Sequence, residues 1–183
     1  TGVNNLCPEG FDQMPALLLQ HGGLKSLTGK TGLALLRHRR GPIAVVIDPD
    51  HANGSLAEIT GIDRKVPIVR DLAAALPYRP AVAVVGLAPS GGALPDPVRR
   101  DALAALQAGL SLASGLHTQL GEDPDFQAAC QAGPWIWDLR REPPTVQVGQ
   151  ARASALHCKR VLAVGTDMAV GKMSACLALQ AAA

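Results

Sequence analysis

The sequence predicts an α/β protein, a Rossmann-like parallel sheet domain followed by the beginning of a phosphate-loop (P-loop) α/β domain. Three observations carry this. Short apolar runs alternate with helical patterns along most of the chain, which is the rhythm of a parallel sheet with crossover helices. The clearest run, AVVI within GPIAVVIDPD (41–50), is apolar and β-branched, as a strand buried on both faces requires. Near the end, VLAVGTDMAVGKMSACLALQ reads as strand, glycine loop and helix.

Taken in order, residues 1–15 carry no pattern and are expected to form a loose lead-in. A first domain then runs over 16–145. ALLLQHGG (16–23) is a short strand with a glycine turn, and TGLALLRHRR a helix. Its basic end, Arg37 to Arg40, suits the negative pole of a helix and is expected to be solvated. After the strand in GPIAVVIDPD, VPIV is a further short strand and DLAAAL a short helix capped by Asp71. AVAVVGLAPSGG is a buried strand running into a Gly/Pro loop. PDPVRRDALAALQAGL is a helix with Asp96 as cap, Pro97 at its first position, and Val98, Ala102, Leu106 and Leu110 on its apolar face. SLASGLH, FQAACQAG and WIWDLR continue as strand, helix and strand. Pro143 and Pro144 stop this rhythm, which sets a domain boundary there. Residues 146–183 are then the first strand, loop and helix of a second domain. A chain that starts at Thr1 and stops one helix past such a loop is expected to be a fragment.

Composition excludes several classes. The 183 residues are 48% hydrophobic and 17% charged, an ordered globular balance. A net charge of +2 supports no nucleic-acid surface. No apolar run reaches membrane-spanning length, and the N-terminus has no signal-like pattern. Cys7, Cys130, Cys158 and Cys176 are far apart with no CxxC pair, so neither a zinc site nor a disulfide framework is expected. Reduced thiols suit a cytoplasmic location. The expected partner is a small molecule, with a homo-oligomer left open.

A phosphate loop needs converging backbone N–H groups, a lysine reaching the terminal phosphates, and a helix N-terminus behind them. The stretch Gly165, Thr166, Asp167, Ala169, Val170, Gly171, Lys172, Met173 and Ser174 supplies these. Five residues rather than four separate Gly165 from Gly171, and Met173 stands where a Ser or Thr hydroxyl normally meets Mg²⁺. No metal is therefore assigned, with Ser174 as the ligand if magnesium is used. GTD followed by VGK resembles the loop of dethiobiotin synthetase, which keeps an ATP-dependent ligase or kinase using Mg-ATP as an alternative. GLKSLTGKTG (23–32) also contains GKT, but no strong buried strand leads into it, and it reads as a loop and helix start.

In open α/β sheets ligands bind beyond the carboxyl ends of the strands. The polar residues expected there are Asp48, the loop containing Ser90, Gly91 and Gly92, then His117, Asp138 and Arg140. Asp48 sits where a ribose-binding acid would, yet no GxGxxG precedes it, which disfavours a nicotinamide cofactor. Ser90, Gly91 and Gly92 suit either an anion cradle or a tight turn. His117 is a weak acid/base candidate. Asp138 and Arg140, two apart on a strand, are expected to form an ion pair.

The segments AVVID, VVGLAPSGGALPD, SGLHTQLGEDP, WIWDLRREPP and VLAVGTDMAVGKMSACLALQ together resemble the D-glutamate N-acetyltransferase family, formerly grouped as a P-loop domain of unknown function. That resemblance implies a Rossmann-like domain followed by a P-loop domain, and transfer of an acetyl group from acetyl-CoA to D-glutamate in D-amino-acid catabolism. It implies that the loop from Gly165 to Ser174 holds cofactor phosphates, and it assigns no catalytic residue here. A module that senses a small acid without catalysis is a further alternative.

Overall fold

In chain order the strands are β1 (Val3–Asn4), β2 (Ala16–Leu19), β3 (Ile43–Ile47), β4 (Ile68–Val69), β5 (Val82–Val85), β6 (Ser111–Ser114) and β7 (Ile136–Asp138). They appear in a computed structural model that describes residues 3–4, 7–89, 91, 93–130, 133–142, 148–167 and 170–183. All pair in parallel, in the spatial order β1-β7-β6-β5-β2-β3-β4. The chain winds outward from β2 through β3 to β4, returns past β2 to β5, and winds the other way to β7. Its direction reverses between β2 and β5, and a doubly wound sheet opens its ligand crevice beyond such a reversal.

Alternation along each strand builds two cores. Leu17, Leu19, Val45, Ile47, Ala83 and Val85 face helices α3 (Leu72–Ala75), α4 (Asp96–Gln107) and α5 (Pro124–Ala129) through Ala75, Val98, Ala102, Leu106 and Phe126. Leu18, Ile43, Val46, Val82 and Val84 face α1 (Lys30–His38) and α2 (Leu56–Thr60) through Leu36 and Leu56. Successive side chains of a strand point to opposite faces, so a strand covered on both must be apolar throughout. This is why the strand runs show no polar alternation.

Several expectations change. The stretch read as a loose lead-in is tied down: Val3–Asn4 pairs with Ile136 and Trp137, and the ring of Phe11 stands edge-on to Trp135 and Trp137. Arg39, expected in solvent, instead donates to the carbonyls of Phe11 and Met14 and lies over the Phe11 ring. Its basic neighbours Arg37, His38 and Arg40 are exposed. Asp96 is not a cap; the cap of α4 is Pro95, and Asp96 sits in the first turn, where a carboxylate suits the positive helix end. Helix α2 was not foreseen. Its signals are nonetheless local: Ser55 caps Glu58, and Gly61 closes the helix at φ 70°.

The chain divides into two compact units, Thr1–Pro144 and Thr145–Ala183. The second holds a short 3₁₀ turn (Arg152–Ala155) and helix α6 (Lys172–Ala182). No strand occurs among its described residues, although one is expected at 161–164. Val161, Leu162 and Val164 are more than 80% exposed. A strand exists only against a partner, and the described residues of this unit offer none.

Candidate functional site

The phosphate loop is built by the second unit's own backbone. Gly171, at φ 95°, turns the chain into α6 in a conformation that favours glycine, and no side chain caps the helix. The first N–H groups of α6 therefore keep their donor capacity. Lys172 curls back so that its ammonium donates to the Asp167 carbonyl. A side chain at Gly165 would meet Val170 at 2.9 Å and the Lys172 ammonium at 3.2 Å, so glycine is required where the lysine folds over the loop. Met173 is 64% exposed, and Ser174 is exposed beside it. Thr166 and Asp167 are exposed as well, while Ala169 lies outside the described residues.

The strand-end residues of the first unit share the carboxyl edge of the sheet, as parallel pairing demands, but they spread from β7 to β3. Four strand spacings separate those ends, roughly 19 Å. Asp48 is fully buried, and its oxygens accept from the N–H groups of Gly22 (2.9 Å) and Leu24 (3.3 Å). Asp138 repeats this arrangement with the N–H groups of Leu120 (3.0 Å) and Gly121 (2.8 Å). Each aspartate thus clamps the loop that leaves the neighbouring strand. The expected Asp138–Arg140 pair does not form: Arg140 donates to the Gly115 carbonyl. Asp48, with both oxygens so engaged, is a loop anchor in this structure rather than an open ribose partner. His117 is exposed on the loop after β6. Gly91 is exposed at φ 78°, and Ser90 and Gly92 lie outside the described residues.

The loop after β2 is the larger surprise. Ala16–Leu19 is a fully buried central strand, so the GKT segment of 23–32 does follow a strong strand, contrary to expectation. It is cinched by glycines: a Cβ on Gly29 would stand 1.9 Å from the Gly23 carbonyl oxygen. Gln20 is fully buried and donates to the Gly29 carbonyl, while its Oε1 has no partner. Next to it His21, at φ 39°, comes within 3.1 Å of Asp101, and His51 within 3.2 Å of Asp48. Neither pair was read from the sequence: only the fold brings His21 and Asp101 together across 80 residues, and His51 meets Asp48 through the 3₁₀ turn Pro49–His51. Among the described residues no cluster of three His, Cys, Asp or Glu is arranged to hold a metal, and no helix is long and apolar enough to cross a membrane.

A doubly wound Rossmann-like unit followed by a lysine-bearing phosphate loop defines a two-part α/β architecture. The matching family models describe the same order: a Rossmann-like domain of unknown function over 49–142 and a P-loop domain over 147–183, the two halves of DUF1611. The chain belongs to the DUF1611 family. It is similar to a crystal structure of a DUF1611 family protein from Anabaena variabilis, at 51% identity and a TM-score of 0.87, over 93% of this chain and 50% of that one. It is also 36% identical over 135 residues to a protein of Tritonibacter scottomollicae named D-glutamate N-acetyltransferase, a match covering 73% of this chain and 40% of that protein. The chain therefore spans half or less of the length of these relatives.

Proposed function

We propose that the full-length protein is an N-acetyltransferase that moves the acetyl group of acetyl-CoA onto the amino group of D-glutamate, in the cytoplasm. The observation that carries this reading is the 36% identity to a relative of that name. The phosphate loop supports it: an uncapped helix start and a folded-back ammonium suit the phosphates of a coenzyme. Anchoring the coenzyme through groups remote from its thioester holds the reacting carbon in place without touching it. Lys172 then exchanges its intraloop carbonyl for a phosphate oxygen when the coenzyme binds. The exposed Met173 where a magnesium-binding hydroxyl would stand favours a coenzyme held without metal over Mg-ATP.

Calorimetric titration of the full-length protein with acetyl-CoA, and separately with Mg-ATP, tests this. Acetyl-CoA should bind, and Lys172→Ala should weaken it roughly 10- to 100-fold, the worth of one charge-assisted hydrogen bond. Binding of Mg-ATP in place of acetyl-CoA moves the protein to ligase or kinase chemistry. Binding of acetyl-CoA without turnover of D-glutamate leaves a sensing role instead.

A further inference from the structure

The turn that closes β2 is strained in an unusual way. His21 holds a left-handed backbone at φ 39°, which a residue with a bulky side chain keeps only when its surroundings impose it. Gly22 follows at φ 81°, and its N–H is fixed by the buried Asp48. The turn brings the imidazole to α4, where Nε2 lies 3.1 Å from Oδ2 of Asp101. The side chain of His21 is only 10% exposed and that of Asp101 23%. Nε2 is sealed from solvent and lies within ion-pair distance of the carboxylate but off the hydrogen-bond line. Among the described residues no hydrogen bond engages Nδ1.

Position adds to geometry. His21 lies two residues past the end of β2 and Asp101 on the helix that follows β5, the two strands between which the winding reverses. That is where open α/β sheets take their ligands. The other histidines fit the role less well: His51 touches Asp48, whose oxygens already hold two backbone N–H groups, and His117 is exposed with no carboxylate at ion-pair distance among the described residues. One further charge flanks the turn. Asp50 is exposed, and its Oδ2 lies 2.9 Å from where a side chain on Gly22 would begin.

We propose that His21, oriented by Asp101, accepts a proton from the amino group of a ligand bound in the crevice beyond β2 and β5, with Asp50 as the anion that receives the ammonium. This deepens the acetyl-transfer reading and rests on it, because an acceptor ammonium must lose a proton before its nitrogen can attack a thioester. One proton passes from the ammonium to Nδ1, the amine keeps the electron pair, and no oxidation state changes. The imidazolium formed is balanced by Asp101, and solvent later takes the proton.

The test uses the full-length protein with acetyl-CoA and D-glutamate, following thiol release against pH. His21→Asn suits the position because asparagine tolerates the left-handed backbone. It should lower kcat/KM by about 10²-fold or more and change the dependence of the rate on pH, with the unfolding midpoint as the control for folding. Asp101→Asn should lower kcat about 10-fold and leave KM within about twofold, since the imidazole keeps its place but loses the carboxylate that balances the imidazolium. Turnover with an unchanged pH profile in His21→Asn overturns the assignment and leaves the acetyl-transfer reading standing. In parallel, D-glutamate alone is titrated into protein carrying ¹⁵N-labelled histidine. A response of the His21 ring without any turnover supports the site and removes the acetyl-transfer reading; no response and no turnover removes both.

Discussion

The chain contains the same local grammar twice: an apolar run, a glycine loop with a lysine, and a helix. In the first copy, residues 16–38, the run is a strand with every residue fully buried between β3 and β5. In the second, residues 161–182, the run has no ladder and stands in solvent, although its helix and glycine turn are formed. The loops differ accordingly. Asp48 holds the first from outside, with Gln20 bracing it from within, whereas the second is held by its own lysine alone. Helix and turn are decided by residues within a few positions of one another, but a central strand is decided by its neighbours.

The largest expected effect comes from removing the outside hold. Asp48→Ala leaves the N–H groups of Gly22 and Leu24 unpartnered in the interior, and two hydrogen bonds to a charged acceptor at about 1.5–3 kcal/mol each put the loss near 4 kcal/mol. Denaturant unfolding of the 183-residue chain measures it. A loss below about 1 kcal/mol would mean that the first loop, like the second, organises itself.

A paired substitution sharpens the contrast at intermediate size. Leu18→Ala should cost about 3 kcal/mol, because Leu18 is fully buried and leaves a cavity. Leu162→Ala, at 82% exposure, should stay within about 0.5 kcal/mol in the same chain. Equal costs would show that 161–164 is packed after all.

The smallest effect concerns the first unit's surface at acid pH. Arg99 on α4 pairs with Asp123 and Asp125, and its hydrogen bond holds the Asp123 carboxyl below the ordinary aspartate range. A depressed carboxyl contributes stability that is full above its unfolded value and is lost as pH falls through the folded one. Arg99→Gln should therefore be slightly less stable than the parent chain at neutral pH, and the gap should narrow as acid protonates the aspartates. A gap that persists in acid would assign the loss to the packing of the Arg99 stem on Phe126 instead.

What the sequence made legible follows the same division. The strand runs at β2 through β7 could be read because burial on both faces leaves an apolar signature, and the Asp71 cap of α3 because capping is local, whereas Pro97, expected first in α4, stands second behind Asp96. The phosphate loop was legible as a pattern. The sites at the sheet edge were not. Asp138 and Arg140 have the spacing of a pair on paper, yet the N–H groups of Leu120 and Gly121 claim the carboxylate first. The His21–Asp101 contact joins residues whose meeting depends on strand order, which no window of sequence contains. The GKT loop at 23–32 was undervalued because ALLL is short, and its rank as the central strand appears only once β3 and β5 flank it.

On its β4 side the sheet finishes in a strand of only two residues, Ile68–Val69. An incoming peptide that tried to extend it would find a rung or two of backbone to grasp, and long edges are what make parallel sheets grow into fibres. That edge is thus poorly suited to templating aggregation, and among the described residues backbone pairing between copies should begin at the bare apolar run at 161–164.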